Sequence, residues 1–217
     1  PGDRQAVLLR DEVNPTSAML SLKADLGQDY TPILGMAASD ATTLYLAATD
    51  TTPLDACQGA RSCQLLKGVL DPSSTTPAQL QLIGTVTAGG SVVPEITGLT
   101  FRQDGQLYGI SQTTYALYRI DVETAQATLM GAAGLELHGG DVTFDDQDRL
   151  LAWTNLGAGS GLYLMNPDTD LATAFEIYPG LDLAGMCALK HGMTVYGASA
   201  GNDRLYTFNL MGSHNGG

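Results

Sequence analysis

The chain lacks most of the features that mark the common function classes. Its 217 residues hold 10 Lys and Arg against 23 Asp and Glu, a net charge of −13. No basic stripe is available to hold a phosphate backbone, which excludes a nucleic-acid partner. The acidic surplus suits either a solvated face that keeps a secreted protein soluble or a field that steers a basic partner or a cation. No apolar run approaches the ~18 to 20 residues needed to span a bilayer, so the sequence predicts no transmembrane segment. It opens at Pro1 with neither Met nor a signal-like stretch, the form expected of a mature or trimmed product. No haem-attachment C-x-x-C-H, phosphate loop or G-x-S-x-G occurs, and Ser199 lies between Ala198 and Ala200, without the glycines of a nucleophile elbow.

Cysteine is scarce, with three in all. Cys57 and Cys63 bracket a short polar loop, Gln58 to Ser62, that can close as a disulfide. A metal pair would need two further ligands close by, and none are there. The pair therefore predicts an oxidising compartment: secreted, periplasmic or at the cell surface. Cys187 falls within an apolar strand and reads as a buried small hydrophobe.

What is present is a repeat. Ile33-Leu34-Gly35-Met36-Ala37, Thr97-Gly98-Leu99-Thr100-Phe101, Gly140-Asp141-Val142-Thr143-Phe144 and Ala184-Gly185-Met186-Cys187-Ala188 share one phrase, and their anchors Gly35, Gly98, Asp141 and Gly185 lie 63, 43 and 44 residues apart. A period near 43 with several short strands per unit is the signature of propeller blades, not of helical solenoids. A second strand centres on Tyr45, Tyr108, Leu151 and Tyr196, 10 or 11 residues after each anchor, beyond turns at Ser39-Asp40, Gln103-Asp104-Gly105, Asp146-Gln147-Asp148 and His191-Gly192. The carboxylates in those turns read as turn chemistry. Third strands follow as Ala116 to Asp121, Gly161 to Asn166 and Arg204 to Asn209, and fourth strands as Ala127 to Met130 and Thr173 to Ile177.

The N-terminal stretch fits the same frame without its first strand: Ala6 to Leu9 second, Ala18 to Leu22 third, Tyr30 to Ile33 fourth. The last unit lacks a fourth strand. The expected fold is an all-β propeller of about five four-stranded blades, the first and last incomplete, over residues 1–210, followed by a Gly-rich tail at 211–217. The 63-residue unit carries about 20 extra residues as a surface insertion at 50–79, rich in Thr, Pro and Ser. Incomplete blades and the insertion are expected contact points for protein partners in a larger assembly.

The passage Leu117-Tyr118-Arg119-Ile120-Asp121-Val122-Glu123-Thr124-Ala125-Gln126-Ala127-Thr128-Leu129-Met130-Gly131 resembles the repeat of secreted bacterial β-propeller proteins of the quinoprotein-like and related groups, L-Y-x-I-D-x-x-T-G-x-x-T-x-x-G, with Ala125 where Gly is usual. The resemblance covers most of the chain and implies a secreted or surface location and a binding or scaffolding role. Propellers host many unrelated activities, so it implies no particular chemistry. A quinone-dependent dehydrogenase calls for a Trp-rich repeat, whereas Trp153 is the sole tryptophan here.

Comparing units isolates one candidate site. Three residues before the anchors stand Pro32, Glu95, His138 and Asp182. Chain entering the innermost strands converges near one rim of the channel, where Glu95, His138 and Asp182 suit a divalent cation such as calcium, with Glu136 in reserve. The same positions suit a solvated channel mouth with no cofactor. Tyr45, Tyr108, Tyr118, Tyr163, Tyr196 and Tyr206 recur at fixed positions and read as blade-to-blade packing. The leading expectation is a non-catalytic interaction or structural module. The alternative is a small metal-assisted hydrolase, a lactonase, esterase or glycosidase, at the channel rim.

Overall fold

The computed structural model describes residues 5–9, 17–21, 30–50, 63–69, 80–131, 135–169, 171–188, 194–199, 201–202 and 204–210. Their regular elements are all strands, apart from one 3-10 turn at Gly157–Gly159. Strands β1 (Gln5–Leu9) and β2 (Ser17–Ser21) pair as a hairpin. Blade I is β3 (Tyr30–Ala38), β4 (Thr43–Asp50), β5 (Gln64–Val69) and β6 (Leu80–Thr85). A small hairpin follows, β7 (Thr87–Ala88) and β8 (Ser91–Val92). Blade II is β9 (Ile96–Phe101), β10 (Leu107–Ser111), β11 (Ala116–Ile120) and β12 (Gln126–Leu129). Blade III is β13 (Val142–Phe144), β14 (Leu150–Thr154), β15 (Gly161–Met165) and β16 (Ala172–Ile177). Blade IV is β17 (Gly185–Ala188), β18 (Thr194–Ser199) and β19 (Arg204–Asn209). Within each blade the strands run antiparallel in sequence order, and β7 adds to the outer edge of blade II by pairing parallel with β12.

The innermost strands stand side by side, β3 against β9, β9 against β13 and β13 against β17. Burial follows from that arrangement. Every residue of β10 and of β14 is buried, because neighbouring blades cover both faces, while β12 and β16 are largely exposed. Three apolar clusters fill the seams. Tyr45, Leu65, Leu99 and Tyr118 lie between blades I and II; Tyr108, Leu117, Val142 and Phe144 between II and III; Leu151, Trp153, Leu162, Met186 and Phe208 between III and IV. Each fully buried Leu in these seams is worth roughly 1.5 to 3 kcal/mol. The recurring tyrosines serve this packing: Tyr45 meets Phe101 and Tyr108 meets Phe144 edge to face, both with ring centroids 5.3 Å apart.

Several sequence expectations are corrected here. The described residues form four blades beside the two-stranded β1–β2 sheet, which does not amount to a fifth four-stranded blade. The N-terminal hairpin supplies the expected second and third strands, but Tyr30–Ile33 is no fourth strand. It begins β3, with Tyr30 opposite Asp50. No turn residue separates it from Leu34–Ala38, and Pro32 only breaks the register on either side of Ile33 because it has no N–H to give the ladder. The stretch 50–79 is not one excursion, since it contains β5, whose Gln64–Leu66 are buried in blade I. Cys187 is exposed, not buried. It lies two residues after its anchor, where blade II has Thr100 and blade III has Thr143, both covered by the following blade, and no described strand follows blade IV on that side. Cys57, the His191-Gly192 turn and the 211–217 tail lie outside the described residues. Cys63, the expected partner of Cys57, is buried at the head of β5.

Candidate functional site

The anchors explain the site's geometry. A side chain at Gly35 would press on the Gly98 backbone, and one at Gly98 would meet the Val142 amide nitrogen at 2.9 Å and the Asp141 Cα at 3.1 Å. At these two anchors glycine lets adjacent inner strands approach. Inner strands of neighbouring blades share no ladder, so their facing N–H groups need other acceptors. Side chains provide them: the Phe144 amide donates to Thr100 Oγ1 (3.1 Å), the Ala188 amide to Thr143 Oγ1 (3.0 Å) and the Met186 amide to Asp141 Oδ2 (2.8 Å).

At the mouth, where the chain enters the inner strands, all four blades contribute to one cavity of about 230 Å³ lined by Leu34, Glu95, Thr97, Gln112, Gly139 and Ala184. Glu95 points toward it with its backbone in the left-handed region at φ 47°. Gln112 Nε2 (3.2 Å) and the Thr113 hydroxyl both donate to its carboxylate. The Gln112 amide oxygen in turn accepts the Gly139 N–H at 3.0 Å, tying blade II to blade III. Asn155 repeats the device one blade on. Its Oδ1 accepts from Trp153 Nε1 (2.7 Å) and the Leu183 N–H (3.0 Å), and its Nδ2 donates to the carbonyls of Leu183 (3.0 Å) and Gly139 (3.2 Å). One polar atom on the cavity wall is left over: the buried Thr97 hydroxyl has no hydrogen-bond partner.

Of the predicted residues, Glu95 alone lines the cavity. His138 packs on Tyr115, ring centroids 5.6 Å apart, with Nε2 3.5 Å from Glu136 Oε2, and both side chains are exposed. Asp182 is exposed at the start of blade IV. Among the described residues no three His, Cys, Asp or Glu side chains gather around one point. What the sequence reading passed over is the pair Gln112 and Asn155. Both stand fourteen residues after their anchors, and that shared offset was the signal available.

Asp141 is the most perturbed acid of the channel wall. Burial pushes its carboxyl up to about 7, against the pull of the Met186 and Val142 N–H groups, which favour the charged form. Partial burial, with the nearby Asp141 carboxylate, also raises the Cys187 thiol. The turn acids behave otherwise: Asp40 Oδ1 accepts the amides of Thr42 and Thr43, and Asp121 Oδ1 those of Glu123 and Thr124, which holds both carboxyls below their ordinary value.

Fold and site together define a β-propeller whose blades meet around a polar channel mouth. No known protein family matches the chain, and no curated protein matches its sequence. Solved structures do. A chain of a nidogen/laminin complex is similar at 12% identity and TM-score 0.62, over 95% of this chain and 70% of that one. A putative gluconolactonase is similar at 14% and 0.59, over 95% and 67%. The PQQ-bound aldose sugar dehydrogenase from Streptomyces coelicolor is similar at 13% and 0.58, over 97% and 72%. At such identities the likeness is one of fold, and it is shared by enzymes and a protein of an interaction complex alike.

Proposed function

We propose that this propeller is a non-catalytic protein-interaction or structural module that works outside the cytoplasm, secreted, periplasmic or at the cell surface, within a larger assembly. The observation that carries this reading is the use of the channel's polar side chains: Thr100, Gln112, Asp141, Thr143 and Asn155 all bond from one blade to the next, and Glu95 is held by Gln112 and Thr113. Groups engaged as struts are poor proton carriers, because moving them breaks a seam. Large apolar side chains left exposed on blades I to III, Val69, Leu82, Leu129, Leu171 and Ile177, supply contact surface. A Cys57–Cys63 disulfide and the oxidising compartment it implies belong to the same proposal.

The competing reading is a metal-assisted hydrolase at the cavity. The unpartnered Thr97 hydroxyl favours it, since a bound ion or substrate oxygen would satisfy that atom. Glu95, His138 and Asp182 would have to turn toward one point to hold such an ion. Native mass spectrometry of protein isolated without chelators separates the two. Complexes with other subunits, and a melting temperature unmoved by chelator, are expected. A free chain carrying one stoichiometric divalent ion, whose removal lowers the melting temperature, would overturn the interaction reading.

A further inference from the structure

The channel-mouth cavity holds acceptors that the struts between blades leave unused. Glu95 is kept in its left-handed backbone, φ 47°, by the Gln112 N–H, which donates to its carbonyl at 3.1 Å. Gln112 Nε2 and the Thr113 hydroxyl both donate to its Oε2, so among the described residues Oε1 accepts from none. Thr97, two residues on, is 7% exposed, and its buried hydroxyl has no partner. Gln112 Oε1 takes the Gly139 N–H and keeps a second lone pair. Beside these acceptors the wall is apolar, with Leu34 on blade I and Ala184 at the entry to blade IV. The acceptors themselves belong to blade II, which packs against blade I on one side and blade III on the other. Three oxygen acceptors thus stand next to an apolar wall, at a mouth where Glu136 and Asp182 are also exposed, on a chain with a net charge of −13.

We propose that this cavity receives a lysine side chain of a partner protein. The inference rests on the interaction reading above and names the chemistry that holds the partner. An ammonium brings its three donors to these acceptors and its charge to a carboxylate, while the methylene stem lies along Leu34 and Ala184. Arginine fits less well, because its planar fork seeks both oxygens of a carboxylate and Glu95 Oε2 is already held twice. A calcium ion takes about six to eight oxygen ligands. Among the described residues no three acidic, His or Cys side chains gather to supply them. Size separates a single side chain from a whole small molecule: the cavity's 230 Å³ lies below the roughly 300 to 1,000 Å³ of small-molecule sites. The orphaned Thr97 hydroxyl fits the same account, since it costs stability in the free chain and gains a partner when the ammonium arrives.

The test titrates Nα-acetyl-lysine methylamide into the isotope-labelled 217-residue chain and follows its amide signals by NMR, at low salt so that screening does not mask the ion pair. Saturable shifts at Thr97, Gln112 and Gly139 are expected. Glu95→Gln, which keeps an oxygen for Gln112 and Thr113, should weaken them about tenfold, and acetylating the probe's amine should abolish them. Thr97→Val should weaken binding severalfold yet raise the denaturation midpoint of the free chain, because it removes a hydroxyl without a partner; a hydroxyl serving the fold alone would lower that midpoint. Equal shifts from the acetylated probe, indifference to both substitutions, or tighter binding of the matching arginine probe would overturn the proposal. So would calcium chloride or putrescine saturating the same signals at about a tenth of the lysine probe's concentration, since the cavity would then belong to a metal or a free polyamine. Native mass spectrometry separates this inference from the reading it rests on. Complexes that survive Glu95→Gln undiminished would sink the lysine anchor and leave the interaction reading standing, whereas a chain that forms no complexes would sink both.

Discussion

At the scale of single residues, the fold depends on side chains that replace a missing ladder. Asn155 satisfies backbone groups on two loops and the Trp153 indole at once. Asn155→Ala leaves those groups without partners in a half-buried site, and a loss of about 2 to 3 kcal/mol in chemical denaturation is expected. Asp141 carries a pH signature. Its carboxyl holds its proton up to about 7 in the fold, whereas an unfolded aspartate titrates near 4. Between those values the folded chain binds the extra proton, so this residue's contribution to stability is full below about 4, falls as pH rises and levels off above about 7. Denaturation midpoints across that window should decline more steeply in the wild type than in Asp141→Asn, and parallel curves would refute the assignment. Ala125 shows what a residue can conceal. It departs from the Gly usual in the resembled repeat, yet it adopts the left-handed backbone at φ 57° that makes Gly usual there.

At the scale of elements, the inner strands set the tolerances. The turns at their far ends are cross-linked as well, Arg102 to Asp148 at 2.7 Å and Gln103 Nε2 to the Asp146 carbonyl at 2.9 Å, so blades II and III are held at both ends of their inner strands. Between those clamps Gly98 has no room to grow. Gly98→Ala drives a methyl into the Val142 amide and the Asp141 backbone, and a destabilisation of about 1 to 3 kcal/mol is expected, read as a lowered denaturant midpoint with unchanged slope. Gly185, whose added methyl would find only Asp141 Oδ2 at 4.0 Å, should accept the same change at far lower cost. The strand pattern was legible because turn residues separate apolar runs at a fixed interval. It failed at Tyr30–Ile33, where pairing with Asp50 across the sheet decided the strand, and at β5, whose flanks depart from the regular spacing.

At the scale of the whole molecule, association with partner proteins is the prediction that matters most, and native mass spectrometry decides it. The sequence by itself determined the all-β class, the blade repeat, its anchors and the tyrosine positions, because strand periodicity and turn chemistry are local and recur at a fixed interval. Only the tertiary structure decided which polar residues meet across a seam, that Gln112 and Asn155 are equivalent struts, that Glu95, His138 and Asp182 face different partners, and that Cys187 and Leu205 are left uncovered. Those outcomes depend on which blade stands beside which, a relation between residues 27 to 46 positions apart that no local pattern encodes.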